Sequence, residues 1–467
     1  MIDPWNLVFA AASVLGAVAA GWAAARRRSL LSLTILALLA SLSRITVETP
    51  IGTMRLEQPA IGIVLVVLLA IGAGRDLTRA PRWVYAMAAC LAVFLAALAI
   101  SSAVIAPDRA ASLRIVAWWA ISLASAVVAY LLVKDVVRDS IVPFTFAAGA
   151  KAATGIGVAL VFLALGPTAD FGVQGADTVL PRVHGLTWEA NLYASYLAAA
   201  VPMALELVRT RSRYAALFLA LIVAGFPLAI TRGAYIGLAA GVLCYVGVWW
   251  ARTRSIRGFA APASIAGIAL VLGLVGAEVL LPNATERGPA AVAPGPSGAA
   301  GGPGSSGPGS TAAPPSEQPR PTLRPYPDTL AFRLDRVPVA LRDLPRSPVI
   351  GLGAESYGQR HVMSDGTPDH IAILGLAALY ETGIVGALAL AAAFVILLVQ
   401  LWRRSGDRMA TGLAAAYIGS IVSLLVSYEA TNALHFAQNW LVIGAAVAVG
   451  ATAAASRDGA PGDTPPP

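Results

Sequence analysis

The chain has 467 residues, of which 57% are hydrophobic and 12% are charged, and its mean hydropathy is +0.73. No class of soluble globular protein has this composition, which indicates a polytopic membrane protein. The net charge of +8 would suit a nucleic-acid-binding protein, but the arginines stand in short clusters between apolar runs, so membrane topology explains them better. Cys90 and Cys244 both lie inside apolar runs, which argues against a disulfide framework and against a thiolate metal site.

Apolar runs long enough to cross roughly 30 Å of hydrocarbon recur along almost the whole chain. They predict an all-α fold with about 12–13 transmembrane helices and a large extracytoplasmic loop that contains an amphipathic helix. Arginines at 26–28 follow the first run with no small-residue cleavage site, so we expect a span there and not a removed signal peptide. The predicted spans lie near 5–25, 30–47, 58–74, 83–105, 112–133, 141–165, 189–208, 214–230, 234–250, 257–281, 371–402, 409–429 and 434–455.

Basic residues follow alternate spans, and the positive-inside rule assigns that side to the cytoplasm. The predicted organisation is therefore a first group of spans over 1–281, an extracytoplasmic loop over 282–370, C-terminal spans over 371–455 and a cytoplasmic tail over 456–467. The expected location is the cytoplasmic (inner) membrane. The clusters are 26–28; Arg75, Arg79 and Arg82; Lys134 and Arg138; Arg209, Arg211 and Arg213; Arg252, Arg254 and Arg257; and Arg403, Arg404 and Arg408.

The long outer loop has two parts of different composition. Residues 287–325 are rich in Gly, Pro, Ala and Ser and cannot bury enough apolar surface to fold, so we expect a flexible tether without chemistry of its own. Over 328–344 apolar residues recur at helical spacing with charged residues between them, which predicts an amphipathic helix on the membrane face. Pro338 lies inside this segment, where a proline usually kinks a helix.

Residues 368–386 carry two ionisable side chains where the polar loop enters an apolar run. On a helix from residue 370 onward, His370 and Glu381 would share one face, about 16 Å apart along the axis. A carboxylate in a membrane span costs a few kcal/mol unless it has a partner, so Glu381 should face the protein interior and orient this helix. His370, at the outer surface, is the candidate general base, with His184 and His361 as lesser candidates.

Four arginines lie on the predicted outer face, where topology alone would favour neutral residues. Arg182 precedes the seventh span, Arg232 sits in a very short connection, and Arg333 and Arg336 lie on the amphipathic helix. A guanidinium group matches phosphate oxygens with two parallel hydrogen bonds, so these arginines suit a diphosphate. The alternatives are snorkelling arginines and simple ion pairs. The histidines lack metal-ligand spacing, and we expect no metal and no cofactor.

These motifs, taken in order, resemble the O-antigen ligase and polymerase superfamily. The resembling features are His370 with Glu381-Thr382-Gly383 and Gly386, the element 231–233, Arg182 with Gly185 and Asn191, and the stretch from Arg333 to Tyr357 with its glycine-rich turn. The match covers about 180 to 400. Two departures are Ile371 in place of an asparagine and the sequence Trp188-Glu189-Ala190 in place of Asn-Pro.

The resemblance implies a metal-independent, inverting membrane glycosyltransferase. Such an enzyme transfers a glycan from a polyprenyl-diphosphate carrier to an acceptor hydroxyl on the outer face of the cytoplasmic membrane. It would assign His370 as the base and Arg182, Arg232, Arg333 and Arg336 to the donor diphosphate. Asn191, Tyr357 and Glu381 would support the site. The partners would be the donor, a glycan or glycolipid acceptor and the bilayer, with no nucleic acid.

Several alternatives remain at the level of sequence. A glycan polymerase differs from a ligase only in its acceptor, and the single long outer loop favours a ligase. A peptidoglycan polymerase would rely on an outer-loop aspartate, for which Asp365 and Asp369 lack a supporting motif. A transporter or flippase predicts ionisable residues along a path through mid-membrane and an internal repeat, whereas here Glu381 is the main ionisable residue expected at depth. A structural assembly protein would leave the arginines and His370 unexplained.

Overall fold

A computed structural model describes residues 28–41, 46–49, 52–55, 57–70, 72–166, 171–174, 181–185, 187, 189–210, 213–286, 329–363, 366–407 and 410–458. The predicted span near 5–25, the low-complexity segment 287–325 and the end of the cytoplasmic tail, 459–467, lie outside the described residues.

The described part of the chain is mostly helical, as the hydropathy pattern predicts. Two short antiparallel hairpins interrupt this pattern: β1 (Thr46–Thr49) pairs with β2 (Gly52–Arg55), and β3 (Val173–Gln174) pairs with β4 (Arg182–Val183). The helices are α1 (Arg28–Ser41), α2 (Glu57–Ala70), α3 (Gly74–Leu77), α4 (Arg82–Val104), α5 (Arg109–Val133), α6 (Ile141–Leu165), α7 (Ala190–Thr210), α8 (Arg213–Gly225), α9 (Arg232–Thr253), α10 (Ala260–Glu286), α11 (Thr329–Asp343), α12 (Ser356–Arg360), α13 (Leu374–Arg404), α14 (Thr411–Tyr428) and α15 (Ala437–Asp458).

Eight helices in the described ranges are long and apolar enough to cross a membrane: α4, α5, α6, α7, α9, α10, α13 and α14. Shorter apolar helices correspond to α1, α2, α8 and α15. The prediction of a multi-pass helical membrane protein is confirmed at this level. The span predicted near 30–47 is shorter than expected, because α1 ends at Ser41 and residues from Thr46 form a β-hairpin.

Helix α7 lies at the centre of the bundle. Buried residues make up 89% of its most apolar 18-residue stretch, compared with 22% for α10 at the periphery. The α7 side chains Tyr193 and Tyr196 are among the largest fully buried groups in the described residues. Most of α7 is therefore enclosed by protein, and a charged residue near its N-terminal end needs partners from neighbouring elements.

A row of small residues brings α9 and α14 into close contact. Gly233, Gly237 and Gly241 recur every four residues on α9, so they share one face. A Cβ at Gly237 would come within 2.7 Å of the Ser423 carbonyl oxygen, and one at Gly241 within 2.6 Å of the Gly419 carbonyl oxygen. Small residues at this spacing let membrane helices approach closely enough for dispersion contacts to hold them together. This packing places the start of α9 beside the end of α14.

Helix α13 is interrupted, which differs from the continuous helix predicted from residue 371. It begins at Leu374, and Gly383 adopts a non-helical conformation with φ 63° and ψ −170°. His370 therefore precedes the helix, and the prediction that His370 and Glu381 share one helix face is wrong. Hydropathy could not indicate this interruption, because a glycine within an apolar run reads as helix whatever its backbone dihedrals are.

The glycine-rich segment 348–353 satisfies the backbone groups that the interruption of α13 leaves without helical partners. The N–H groups of Leu352 and Gly353 donate to the carbonyls of Tyr380 and Glu381, at 2.8 and 3.1 Å. In return the N–H of Ile384 donates to the Pro348 carbonyl at 2.9 Å. Non-helical backbone at membrane depth needs such partners within the protein. Two motifs that are separate in sequence thus form one structural unit.

Basic residues that follow three of the described helices lie at the end of the bundle opposite to the segment 348–353. Arg252 at the end of α9 donates to the Trp402 carbonyl at 2.7 Å, near the end of α13. Arg209 at the end of α7 pairs with Glu206 at 2.7 Å. Lys134 after α5 pairs with Asp76 at 3.0 Å. We refer to this end, marked by Arg209, Arg252 and Lys134, as the basic end.

Replacement of Gly237 by Val should destabilise the protein by about 1–3 kcal/mol, because the added side chain overpacks the contact between α9 and α14. Gly247→Val is the matched control on the same helix, since a Cβ there has nothing within 4 Å. Thermal unfolding in detergent should show a lower midpoint for Gly237→Val and little change for Gly247→Val. Equal midpoints for the two variants would contradict this packing.

Candidate functional site

Arg182 is held at the N-terminal end of α7 by the β3–β4 hairpin. Gln174 of β3 pairs with Arg182 of β4, and the Gln174 side-chain oxygen accepts a hydrogen bond from the Ala190 N–H at 3.3 Å. Arg182 is 8% exposed, and its guanidinium donates to Asn191 Oδ1 at 3.4 Å. The hairpin thus fixes a buried cation beside the first turn of α7, where the helix dipole is also positive.

The element 231–233 meets the same asparagine from the other side. Thr231, which precedes the first residue of α9, donates from Oγ1 to Asn191 Oδ1 at 3.4 Å. Arg232 follows at the start of the helix with an exposed side chain. Asn191 therefore accepts hydrogen bonds from both Arg182 and Thr231, and so links the two arginine motifs that the sequence placed 50 residues apart.

A carboxylate without an assigned role in the sequence prediction, that of Glu189, lies among the predicted cations. Glu189 directly precedes α7, and its Oε1 accepts a hydrogen bond from Thr431 Oγ1 at 3.4 Å. Burial raises the pKa of Glu189, and the charge of Arg182, the Thr431 hydrogen bond and the charges of His370 and Arg333 offset this only in part. Residues from β4, α11 and the loop before α13 therefore act electrostatically on one carboxyl group.

His370 and α11 are connected through Asp369. The Asp369 carboxylate accepts a hydrogen bond from the His370 N–H at 2.8 Å and pairs with Arg336 Nε at 3.1 Å. Arg336 was predicted to bind the donor, and in this structure it ties α11 to the loop that carries His370. The His370 side chain itself is exposed. Asp369 thereby holds both the histidine backbone and the helix that presents Arg333.

Tyr357 and Asp343 anchor the other end of α11. The buried ring of Tyr357 packs edge-on against Tyr380, with ring centroids 5.4 Å apart. Asp343 accepts hydrogen bonds from Tyr380 Oη at 3.0 Å and pairs with His361 Nε2 at 2.7 Å. Burial opposes ionisation of Asp343, but these two hydrogen bonds and the charge of Arg346 outweigh it and lower the pKa of this carboxyl. Tyr357 and His361 thus have structural partners away from Glu189.

Glu381 lies beside the interruption of α13, not on a face shared with His370. Its Oε1 accepts a hydrogen bond from the Glu355 N–H at 3.1 Å, and its carbonyl accepts one from Ser101 Oγ at 2.9 Å. The predicted hydrogen-bonding partner of Glu381 is thus a backbone N–H, that of Glu355, two residues after the glycine-rich segment 348–353.

Sequence reasoning also missed a buried polar cluster deeper in the bundle. Lys151 lies ten residues into α6, is 2% exposed, and donates to Gln438 Oε1 at 2.8 Å. Arg55 and Glu57 lie 3.8 Å apart, and the charge of Glu57 acts on Lys151. We call Arg55, Glu57, Lys151 and Gln438 the Lys151 cluster. Lys151 is one of two lysines in the chain and lies inside an apolar run, which was the available signal.

The remaining histidines are engaged locally. His184 Nδ1 lies 2.7 Å from the Thr187 carbonyl, inside the loop that carries Arg182. His435 is half-buried beside Trp119, with ring centroids 6.2 Å apart. Among the described residues, no three His, Cys, Asp or Glu side chains are grouped as ligands for a metal ion.

No family model matches the chain, and no curated protein matches it in a sequence comparison.

The interruption of α13 makes a direct prediction for Gly383. Its φ of 63° with ψ near 180° is accessible almost only to glycine, and a Cβ there would come within 2.5 Å of the Gly351 nitrogen. Gly383→Ala should therefore lower stability by about 1–3 kcal/mol. Gly267→Ala in α10, where a Cβ has open space, is the control. The measurement is the thermal unfolding midpoint of each variant in detergent. An unchanged midpoint for Gly383→Ala would rule out the packing of segment 348–353 against the interruption of α13.

Proposed function

We propose that the chain is a membrane glycan transferase that uses a polyprenyl-diphosphate donor and an acceptor hydroxyl. The proposal is supported by the contacts that bring the arginine motifs and His370 to the N-terminal end of α7. Arg182 and Thr231 both donate to Asn191, and Asp369 joins the His370 backbone to Arg336 of α11. Arg182, Arg333 and His370 also act electrostatically on Glu189. These residues come from elements far apart in sequence. A cationic group of this kind at the end of a membrane helix suits a ligand with an anionic head and an apolar tail.

The donor diphosphate would bind to Arg182, Arg232 and Arg333 at this site. Guanidinium groups bind phosphate oxygens with two parallel hydrogen bonds, and the start of α7 adds the positive end of a helix dipole. As the bond to the sugar breaks, negative charge develops on the diphosphate, and fixed cations in a water-poor site stabilise it. The polyprenyl tail would extend along the apolar helices toward mid-membrane.

The acceptor hydroxyl would be deprotonated by His370. Its oxygen attacks the anomeric carbon on the face opposite the diphosphate, which inverts the configuration at that carbon. The His370 ring is exposed, so it can meet an acceptor and pass the proton to solvent. Asp369 fixes the backbone of His370 and, through Arg336, the helix that carries Arg333. The Asp369 carboxylate therefore fixes the position of the base relative to the helix that contributes Arg333 to the donor site.

The proposed site faces the outside of the cytoplasmic membrane. Arg209, Arg252 and Lys134 lie at the other end of the bundle, and the positive-inside rule assigns that end to the cytoplasm. The described residues contain eight long spans, and the predicted count of about 12–13 crossings would require the shorter apolar helices α1, α2, α8 and α15 to cross as well. We favour a ligase over a polymerase because α11 belongs to a single long outer loop, and the acceptor would then be a lipid-anchored glycan.

The Lys151 cluster supports a second candidate function, a lipid or polysaccharide transporter. Ionisable groups deep in a membrane bundle commonly mark a substrate or proton path. Transport and transfer are separated by reconstituting the protein in vesicles with a fluorescent polyprenyl-diphosphate glycan. Movement of the label between leaflets without an acceptor, abolished by Lys151→Met, would favour the transporter. Label transferred to an acceptor glycan supports the transferase.

Replacement of His370 by Ala should reduce the rate of glycan transfer by about 10²–10⁴-fold, the usual contribution of a general base. The variant should unfold at the parental temperature, because the His370 ring is exposed and its backbone bond to Asp369 does not need the side chain. Transfer from a purified polyprenyl-diphosphate donor gives the rate. Parental activity in a folded His370→Ala protein would remove this residue from catalysis.

Arg182→Ala should weaken donor use by at least tenfold, measured as the donor KM or as binding of a short polyprenyl diphosphate. Arg182→Lys should recover only part of the loss, because an ammonium group lacks the planar fork. The control is Arg75→Ala, an exposed arginine near the basic end that should leave donor use unchanged. If Arg182→Ala and Arg75→Ala bind donor equally well, the diphosphate site is elsewhere.

A further inference from the structure

We propose that Glu189 is protonated when the donor diphosphate is bound and that it acts as the general acid, giving its proton to the leaving diphosphate. The inference rests on the proposed function and assigns a second catalytic residue to the same site. His370 and Glu189 would then have opposite roles, as base toward the acceptor and as acid toward the leaving group.

The hydrogen bonds around the start of α7 place the Glu189 carboxyl near the proposed diphosphate site. Arg182 donates to Asn191, two residues after Glu189, and the strand partner of Arg182, Gln174, accepts from the Ala190 N–H. Arg182 and Arg333, two of the arginines assigned to the diphosphate, also lower the pKa of Glu189 through their charge. Glu189 also occupies the position before the first residue of α7, where an anion would meet the helix N-terminus. A diphosphate bound to these arginines therefore lies against the carboxyl group of Glu189.

Two anions in contact in a buried site do not both remain ionised. When a second negative group binds to the same cations, each cation is shared, and the repulsion between the anions disfavours the ionised carboxylate. A proton between the two anions removes the repulsion and forms a hydrogen bond from the carboxyl to a phosphate oxygen. Binding of the donor should therefore draw a proton onto Glu189.

The other groups that face Glu189 are consistent with this assignment. Arg182 of β4 and Arg333 of α11 contribute permanent positive charge, and His370 before α13 adds to it once it has taken the acceptor proton. Tyr428 at the end of α14 is the neighbouring hydroxyl group, and it donates a hydrogen bond to Asn439 Oδ1 at 2.7 Å, so it is already engaged. Even without donor, burial raises the pKa of Glu189 in spite of the nearby arginines.

The chemical step balances with these two residues. The acceptor O–H bond breaks, its proton passes to His370, and the oxygen forms a bond to the anomeric carbon. The bond between that carbon and the diphosphate oxygen breaks, its electron pair leaves with the diphosphate, and the Glu189 proton moves to that leaving group.

Isothermal titration calorimetry of the full chain in detergent, with farnesyl diphosphate as the probe, measures this proton directly. Titrations at pH 7 in two buffers of different ionisation enthalpy give the number of protons taken up on binding. The parental protein should take up about one proton more per bound diphosphate than Glu189→Gln. The glutamine retains an N–H donor for the phosphate oxygen, so the variant should still bind. Glu278→Gln, at an exposed position on α10, should behave as the parental protein.

The outcomes separate this inference from the proposed function. If the parental protein does not bind farnesyl diphosphate, the proposed function fails and the role of Glu189 fails with it. If it binds and Glu189→Gln shows the same proton uptake, only the assignment of Glu189 is overturned. Infrared difference spectra of the parental protein provide a measurement that needs no variant. Diphosphate binding should produce the carbonyl band of a protonated carboxyl group, and its absence would also overturn the assignment.

Discussion

A carboxylate at the N-terminal end of a deeply buried helix needs positive charge around it, and this constraint organises one end of the molecule. For Glu189, which directly precedes α7, that charge comes from Arg182 of the β3–β4 hairpin and Arg333 of α11, and His370 of the loop before α13 also acts on it. Because a buried ion is costly without partners, the hairpin, the helix and the loop are coupled through a single side chain. The same arrangement gives a concentrated positive potential that an anionic ligand can use.

The scaffold that presents these groups depends on close backbone contacts. Glycines on α9 let the start of that helix approach the end of α14, from which Thr431 reaches Glu189. The interruption at Gly383 lets the segment 348–353 pair with α13 and so fixes the loop and α11 beyond it. Polar residues of α4 and α5 reinforce this pairing, as when Ser112 donates to the Ala354 carbonyl at 2.7 Å. The cationic site is therefore held by rigid membrane helices and not by its own ion pairs alone.

The sequence predicted the helices well and the site geometry less completely. The spans predicted at 83–105 and 141–165 correspond to α4 and α6 within one residue at each end, because hydropathy reports the burial that a membrane helix requires. Hydropathy does not report backbone dihedrals, so the interruption at Gly383 was missed. Averaging over an apolar run also concealed Lys151. Glu189 escaped notice because it stood only as a departure from a motif, and its partners come from three elements that no local pattern connects.

Structure determination by cryo-electron microscopy in lipid nanodiscs with an added polyprenyl diphosphate tests the central claim most directly. We expect density for the two phosphates at the N-terminal end of α7, within hydrogen-bonding distance of Arg182 and against Glu189, with the tail running between apolar helices. Phosphate density beside the Lys151 cluster or at the basic end near Arg252, with the Glu189 site empty, would contradict it.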